Sequence, residues 1–215
     1  MLSNLQINRT LVKNEVRMEV SKKTVSEEAI QKEWDVIRAA QKNPAMFRPL
    51  YNQYFESIFR FVYRRTANES LTSDICSQVF LKAMQQINKY QFKGVPFSAW
   101  LYRIASNEVA QYFRNIHKNR VISLETSHIS GLVEEMEVSQ IENYQNAMIQ
   151  GLDELKETDV QLIEMRFFEQ RPFKEIAEII GITESNAKVK TYRILERLKK
   201  IIMRIHTKGG RAPEL

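Results

Sequence analysis

The residues of this 215-residue chain best suited to chemistry are rings interleaved with cations. Between Lys89 and Arg120, Tyr90, Phe92, Phe97, Trp100, Tyr102, Tyr112 and Phe113 alternate with Lys89, Lys93, Arg103, Arg114, Lys118 and Arg120. An aromatic face stacks on an unpaired base while a neighbouring cation holds phosphate, so the pattern suits single strands rather than intact duplex. Opening a base-pair step costs about 1.4 kcal/mol, and each base stacked on a ring returns roughly 1–3 kcal/mol. Two captured bases can therefore hold a short melted segment. Trp100, Arg103, Asn107 and Arg114 fall at i, i+3, i+7 and i+14, a helical stripe distinct from the apolar one. A large ring at the head of a helix is usually buried, so for Phe97 and Trp100 the core reading stands beside the contact reading.

A second constellation lies near the C-terminus. Phe173 to Ile180 and Glu184 to about Ile205 read as two helices joined by Gly181-Ile182-Thr183, the layout of a DNA-reading helix-turn-helix. Ala177 is small where the second helix must cross, Gly181 can take the positive φ that ends the first helix, and Thr183 is a competent N-cap. Ala187, Thr191, Leu195 and Leu198 would pack inward. The opposite face offers Ser185, Asn186, Lys188, Val189, Tyr192 and Arg193, side chains able to read base edges or hold phosphates in a major groove. From Arg171 to Lys208 ten basic residues stand against four acidic ones. The plainer alternative is an amphipathic helical hairpin with a solvated basic face.

Enzymatic chemistry finds little support. His117, His128 and His206 are scattered, and the single cysteine, Cys76, excludes an internal disulfide or a multi-cysteine zinc site. No cofactor or small-molecule substrate is expected. The net charge of +6 suits a polyanionic partner. No apolar run is long enough to span a membrane and the N-terminus lacks a signal-peptide core, so a cytoplasmic protein is expected.

The elements that must position these residues are helices throughout. Residues 1–28 show little periodicity and read as a poorly ordered leader. A helix is expected over 29–38, with Ile30, Trp34 and Ile37 on one face. Asn43-Pro44 starts a longer helix to Thr66, whose buried stripe is Phe47, Leu50, Tyr51, Tyr54, Ile58, Phe61 and Val62. Two more follow, Leu71 to Tyr90 and Phe97 to Asn115, around a loop with Gly94 and Pro96. From Val121 to Leu155 there is no Lys or Arg but seven acidic residues, an acidic tether between basic segments. Some thirty extended residues would reach on the order of 100 Å. The expected architecture is all-α: a helical domain over 29–118, a flexible acidic linker over 119–150, a helix-turn-helix domain over 151–206 and a frayed tail over 207–215.

Three segments resemble the sigma-70 family of RNA polymerase sigma factors. Phe97-Ser-Ala-Trp-Leu-Tyr-Arg-Ile-Ala-Ser-Asn107 resembles the signature of conserved region 2. Phe47-Arg-Pro-Leu-Tyr-Asn-Gln-Tyr54 and Asp74-Ile-Cys-Ser-Gln-Val-Phe-Leu-Lys82 are similar to its first two helices, and Leu155 to Ile201 resembles region 4. No segment resembles the large intermediate domain of housekeeping factors, which points to the extracytoplasmic-function (ECF) subgroup.

The resemblance implies roles. Asp74, Gln78, Phe80, Leu81 and Met84 would dock on the β′ clamp helices of core RNA polymerase. Lys89, Tyr90, Phe92, Lys93, Trp100, Arg103, Asn107 and Arg114 would capture the melted minus-ten element. Ser185, Asn186, Lys188, Val189, Lys190, Tyr192, Arg193 and Arg197 would read the minus-thirty-five element, with the polymerase β flap holding region 4. The acidic stretch would run toward the active-centre cleft, as a nucleic-acid mimic or as a plain tether. Promoter DNA and an anti-sigma factor, which could hold the chain at the inner membrane, are the other implied partners. The chain departs from the family at Ser77-Gln78, where an acidic residue usually follows Gln, at Ser106 and Gln111, where Arg and Asp are common, and in its long leader. The main rival is a stand-alone helix-turn-helix regulator, which would leave the region-2-like domain unexplained.

Overall fold

The computed structural model describes residues 25–116, 126–136 and 144–209. The expected leader up to residue 24, Lys118, Arg120 and the tail beyond 209 lie outside the described residues. Among those residues the regular elements are all helical.

The first helix, α1 (Glu27–Lys42), begins where the Ser26 side chain accepts from Ala29 N–H, and it carries Glu27 and Glu28 in its first turn and Lys42 in its last. It is longer at both ends than expected because these cap signals lie outside its apolar stripe. Asn43 caps a 3-10 turn over Pro44–Phe47, and α2 (Arg48–Thr66) follows directly. Ala67, in the left-handed conformation with φ 48°, closes α2. Asn68 accepts from Leu71 N–H and starts α3 (Glu69–Gln86). A 3-10 turn over Ile87–Lys89 and an irregular loop lead into α4 (Phe97–Ile116). Beyond it come α5 (Thr126–Met136), α6 (Tyr144–Asp153), α7 (Glu157–Ile163) continued by a π-type turn to Phe168, α8 (Phe173–Ile180) and α9 (Glu184–Gly209).

The helices form two compact units. The first contains α1 to α4 with residues 173–189. Its core is Leu50, Ile58, Phe61 and Val62 of α2, Ile75, Val79 and Ala83 of α3, and Phe97, Leu101, Tyr102 and Ala105 of α4. Burying a Leu-, Ile- or Phe-sized side chain contributes about 1.5–3 kcal/mol. Lys82 and Glu108 tie α3 to α4 at 2.7 Å. Tyr51, expected in the buried stripe, is 39% exposed. It begins a ladder of rings with half-buried Phe55 and Phe59 and exposed Tyr63 along α2, because rings four residues apart meet on a helix surface. In this unit α8 packs on α4.

The second unit contains α5 to α7 and the remainder of α9. Within the stretch read as an acidic tether, α5 and α6 bury Leu132, Met136, Met148 and Leu152. Their apolar residues recur at helical spacing between the carboxylates, a pattern that the overall charge obscures. Gly151 of α6 faces α9 so closely that a Cβ there would stand 3.0 Å from Leu198 Cδ1. The interior of α9 is as expected: Ala187, Thr191, Leu195 and Leu198 are all buried. Its helix continues through Thr207, expected in the frayed tail, to Gly209.

Candidate nucleic-acid interface

The loop between α3 and α4 is held from beneath by α1. The Gln41 side-chain amide donates to the carbonyls of Ile87 and Tyr90 at 2.9 and 3.1 Å. The Glu33 carboxylate accepts from Phe97 N–H at 2.7 Å, satisfying one open donor at the start of α4, and also accepts from the Tyr54 hydroxyl. Burial outweighs both hydrogen bonds and raises the Glu33 pKa above the ordinary carboxylate value. Gly94, with φ 67°, turns the chain where a side chain would be strained.

On this frame five rings form a continuous cluster. Phe97 is fully buried and meets Tyr90 edge-on at 5.1 Å. Trp100 lies 5.3 Å from Phe97 and 5.2 Å from Tyr90. Trp34 of α1 sits 6.2 Å from Tyr90 and stacks on Phe92 at 5.4 Å with planes 23° apart. The rings run from buried Phe97 through half-buried Trp100 and Trp34 to exposed Phe92. Tyr90, expected to touch DNA, is instead buried and acts as a backing ring. Burial first, then the Glu33 and Glu178 charges, raises its pKa, so its hydroxyl stays neutral.

Lys89 and Lys93 on the loop are exposed, as are Arg103, Asn107 and Arg114 along α4, the last of them about 21 Å from Trp100 by helical rise. Lys93 Nζ lies 2.6 Å from the Glu178 carboxylate of α8, and Arg103 Nη1 is 3.8 Å from the same oxygen. Two of the predicted phosphate-binding cations thus already face an anion.

The helix-turn-helix geometry follows its expected signals. Gly181 takes φ 78°, its N–H donates to Ala177 O, and the Thr183 hydroxyl accepts from Asn186 N–H. Ser185, Asn186, Lys188, Val189, Tyr192 and Arg193 are exposed, and Lys190 is half-buried. Arg197 departs from the expected reading face because its guanidinium meets buried Asp159 of α7 at 2.9 Å.

On α3 Asp74, Gln78, Leu81 and Met84 are exposed, whereas Phe80 is buried against Tyr51 at 4.8 Å. Phe80 therefore supports this face instead of forming it. Beside it Asp74, Ser77, Gln78, Glu108 and Gln111 line a groove of about 460 Å³. The Ser77 hydroxyl donates back to Ser73 O, and exposed Gln78 stands at the position where the resemblance leads one to expect an acidic residue.

The residues that sequence reasoning missed are Glu33, Gln41, Trp34, Glu178 and Asp159. Trp34 was visible only as one position of an apolar stripe, and the others show their role only through partners far away in the chain.

Comparison with known proteins bears on the family and the fold. The family model "Sigma-70 region 2" matches residues 50–119 and "Sigma-70, region 4" matches residues 151–200. The chain is 27% identical over 171 residues to the ECF RNA polymerase sigma factor BldN of Streptomyces coelicolor, covering 78% of this chain and 65% of BldN's length. It is 24% identical to the ECF RNA polymerase sigma factor SigM of Bacillus subtilis, covering 72% of this chain and 94% of SigM. The solved structure of CnrH in complex with the cytosolic domain of CnrY shares the fold with a TM-score of 0.54 at 15% identity, covering 80% of this chain and 97% of that one.

Proposed function

This chain belongs to the sigma-70 family of RNA polymerase sigma factors, in its extracytoplasmic-function subgroup, and from that premise we propose that it binds core RNA polymerase and selects promoters without catalysing a reaction itself. The observation that carries the proposal is the ring cluster ending at exposed Phe92, with exposed cations around it. Rings on a rigid frame beside phosphate-binding cations suit a melted strand. Phe92, Lys89, Lys93, Arg103, Asn107 and Arg114, with Trp100 at the edge, hold the minus-ten bases and their phosphates. Tyr90 backs them.

The exposed face of α9 from Ser185 to Arg193 reads the minus-thirty-five element as duplex. Asn186 can pair with adenine and Arg193 with guanine, each good bidentate pair discriminating by about 1–3 kcal/mol. Asp74, Gln78, Leu81 and Met84 dock on the β′ clamp helices, and the β flap holds the region-4 part. The domains run along the chain as 29–118 and 151–206, with the acidic stretch between them.

An anti-sigma factor is a further partner. CnrH was captured with the cytosolic domain of another protein, and exposed Leu81 and Met84 offer such a partner apolar surface. Among the described residues no helix is long and apolar enough to cross a membrane. We place the chain in the cytoplasm, where its polymerase is.

Run-off transcription with purified core polymerase and a promoter library is the test. Transcripts whose start sites depend on this chain support the proposal. A gel shift without core enzyme that is as strong as one with it would favour a stand-alone regulator.

A further inference from the structure

We infer that Trp34 of α1 belongs to the base-capture site, where it forms with Phe92 the outer stacking wall for an unpaired nucleobase of the melted strand. The inference rests on the proposed single-strand reading and adds a residue from outside the matched region-2 segment, which begins at residue 50.

Three observations carry it. First, Trp34 and Phe92 are stacked at 5.4 Å and 23°, yet Phe92 remains 38% exposed and Trp34 is only half-buried. A pair serving the core alone would gain by closing over both rings, since each ring buries 150–250 Å² when enclosed. Second, α1 is anchored to the segment that presents the rings: Gln41 holds the carbonyls of Ile87 and Tyr90, and Glu33, adjacent to Trp34, holds Phe97 N–H. A base entering beside Phe92 therefore meets Trp34 in a preset position, which limits the ordering entropy that binding must overcome. Third, the charges around Trp34 do not repel a phosphate strongly. Glu33 is buried, Asp35 is paired with Arg38, and Lys89 and Lys93 lie on the loop beside the cluster.

The test uses holoenzyme assembled from the full chain and core polymerase. The probe is a fork-junction template with 5-iodouracil placed at successive positions of its single-stranded segment, followed by photo-crosslinking and peptide mapping. Trypsin releases Glu33 to Arg38 as one peptide, and Trp34 is its only aromatic residue. A crosslink on that peptide, lost in Trp34→Leu and kept in Trp34→Phe, is the expected result. Trp34→Leu should also weaken fork binding by about 5- to 150-fold, the equivalent of one stacked ring, while Trp34→Phe retains most of the affinity.

Crosslinks on the peptides carrying Phe92 or Trp100 with none on Glu33 to Arg38 would overturn the role of Trp34 and leave single-strand capture standing. No crosslink to the Glu33 to Arg38 peptide or to any residue from 90 to 107 would overturn the capture reading itself, and the Trp34 role with it. Loss of affinity in Trp34→Leu without a Trp34 crosslink would mark the residue as a structural support and refute the contact.

Discussion

Glu178→Gln should strengthen binding of single-stranded DNA and make that binding more sensitive to salt. In the wild type the Glu178 carboxylate stands 2.6 Å from Lys93 and 3.8 Å from Arg103, the two cations proposed to contact phosphate. The Lys93 and Arg103 side chains are about half-exposed, so water and salt screen both pairs, and each is worth about 0.2–1 kcal/mol. Losing both on DNA binding opposes the complex by about 0.4–2 kcal/mol, a factor of about 2 to 30 in affinity. Neutral glutamine keeps the shape and removes that opposition. Removing the single carboxylate changes the local charge by one, so the slope of log affinity against log salt should steepen by about 0.7.

Fluorescence anisotropy of a labelled single-stranded oligonucleotide, from 50 to about 200 mM salt, measures affinity and slope together. Glu69→Gln, an exposed acid in the first turn of α3, makes the same change in net charge away from Lys93 and Arg103. Equal gains from both variants, or parallel salt lines for Glu178→Gln and wild type, would refute the reasoning.

Phe97→Ala removes a fully buried ring at the start of α4 and should cost about 3–5 kcal/mol of stability, read from urea denaturation. A loss under about 1 kcal/mol would contradict its place in the core. Glu33→Gln tests the buried carboxylate through its pH dependence. Because the folded pKa lies above the unfolded value, native protein binds the proton more readily, and wild-type stability should rise relative to the variant as pH falls through the raised pKa, then level off below the ordinary carboxylate value. A wild-type-minus-variant difference that is constant between neutral and mildly acidic pH, or that falls on acidification, would count against it. Leu81→Asp puts a charge on the exposed face of α3 and should abolish co-purification with core polymerase while leaving thermal stability within about 0.5 kcal/mol of wild type. Retained polymerase binding would place the contact elsewhere.

What could be read from the sequence alone was local. The ends of α8 and the turn at Gly181 follow from a cap, a glycine and an apolar period, each acting over four residues or fewer. The inward residues Ala187, Thr191, Leu195 and Leu198 were legible for the same reason. The two sets of candidate DNA-binding residues were legible because ring and cation types appear in the sequence.

Which of them meets solvent was settled only in three dimensions. Tyr90 and Phe92 stand two positions apart and look alike in sequence, yet one backs the cluster and the other faces out, because an irregular loop has no period from which to read direction. Phe80 and Leu81 divide in the same way on α3, according to which neighbour α2 covers. Glu33 reaches Phe97 across 64 positions, and Glu178 reaches Lys93 across 85. Side-chain chemistry and helical rhythm are properties of near neighbours in the chain, whereas burial and charge pairing belong to residues that only packing brings together.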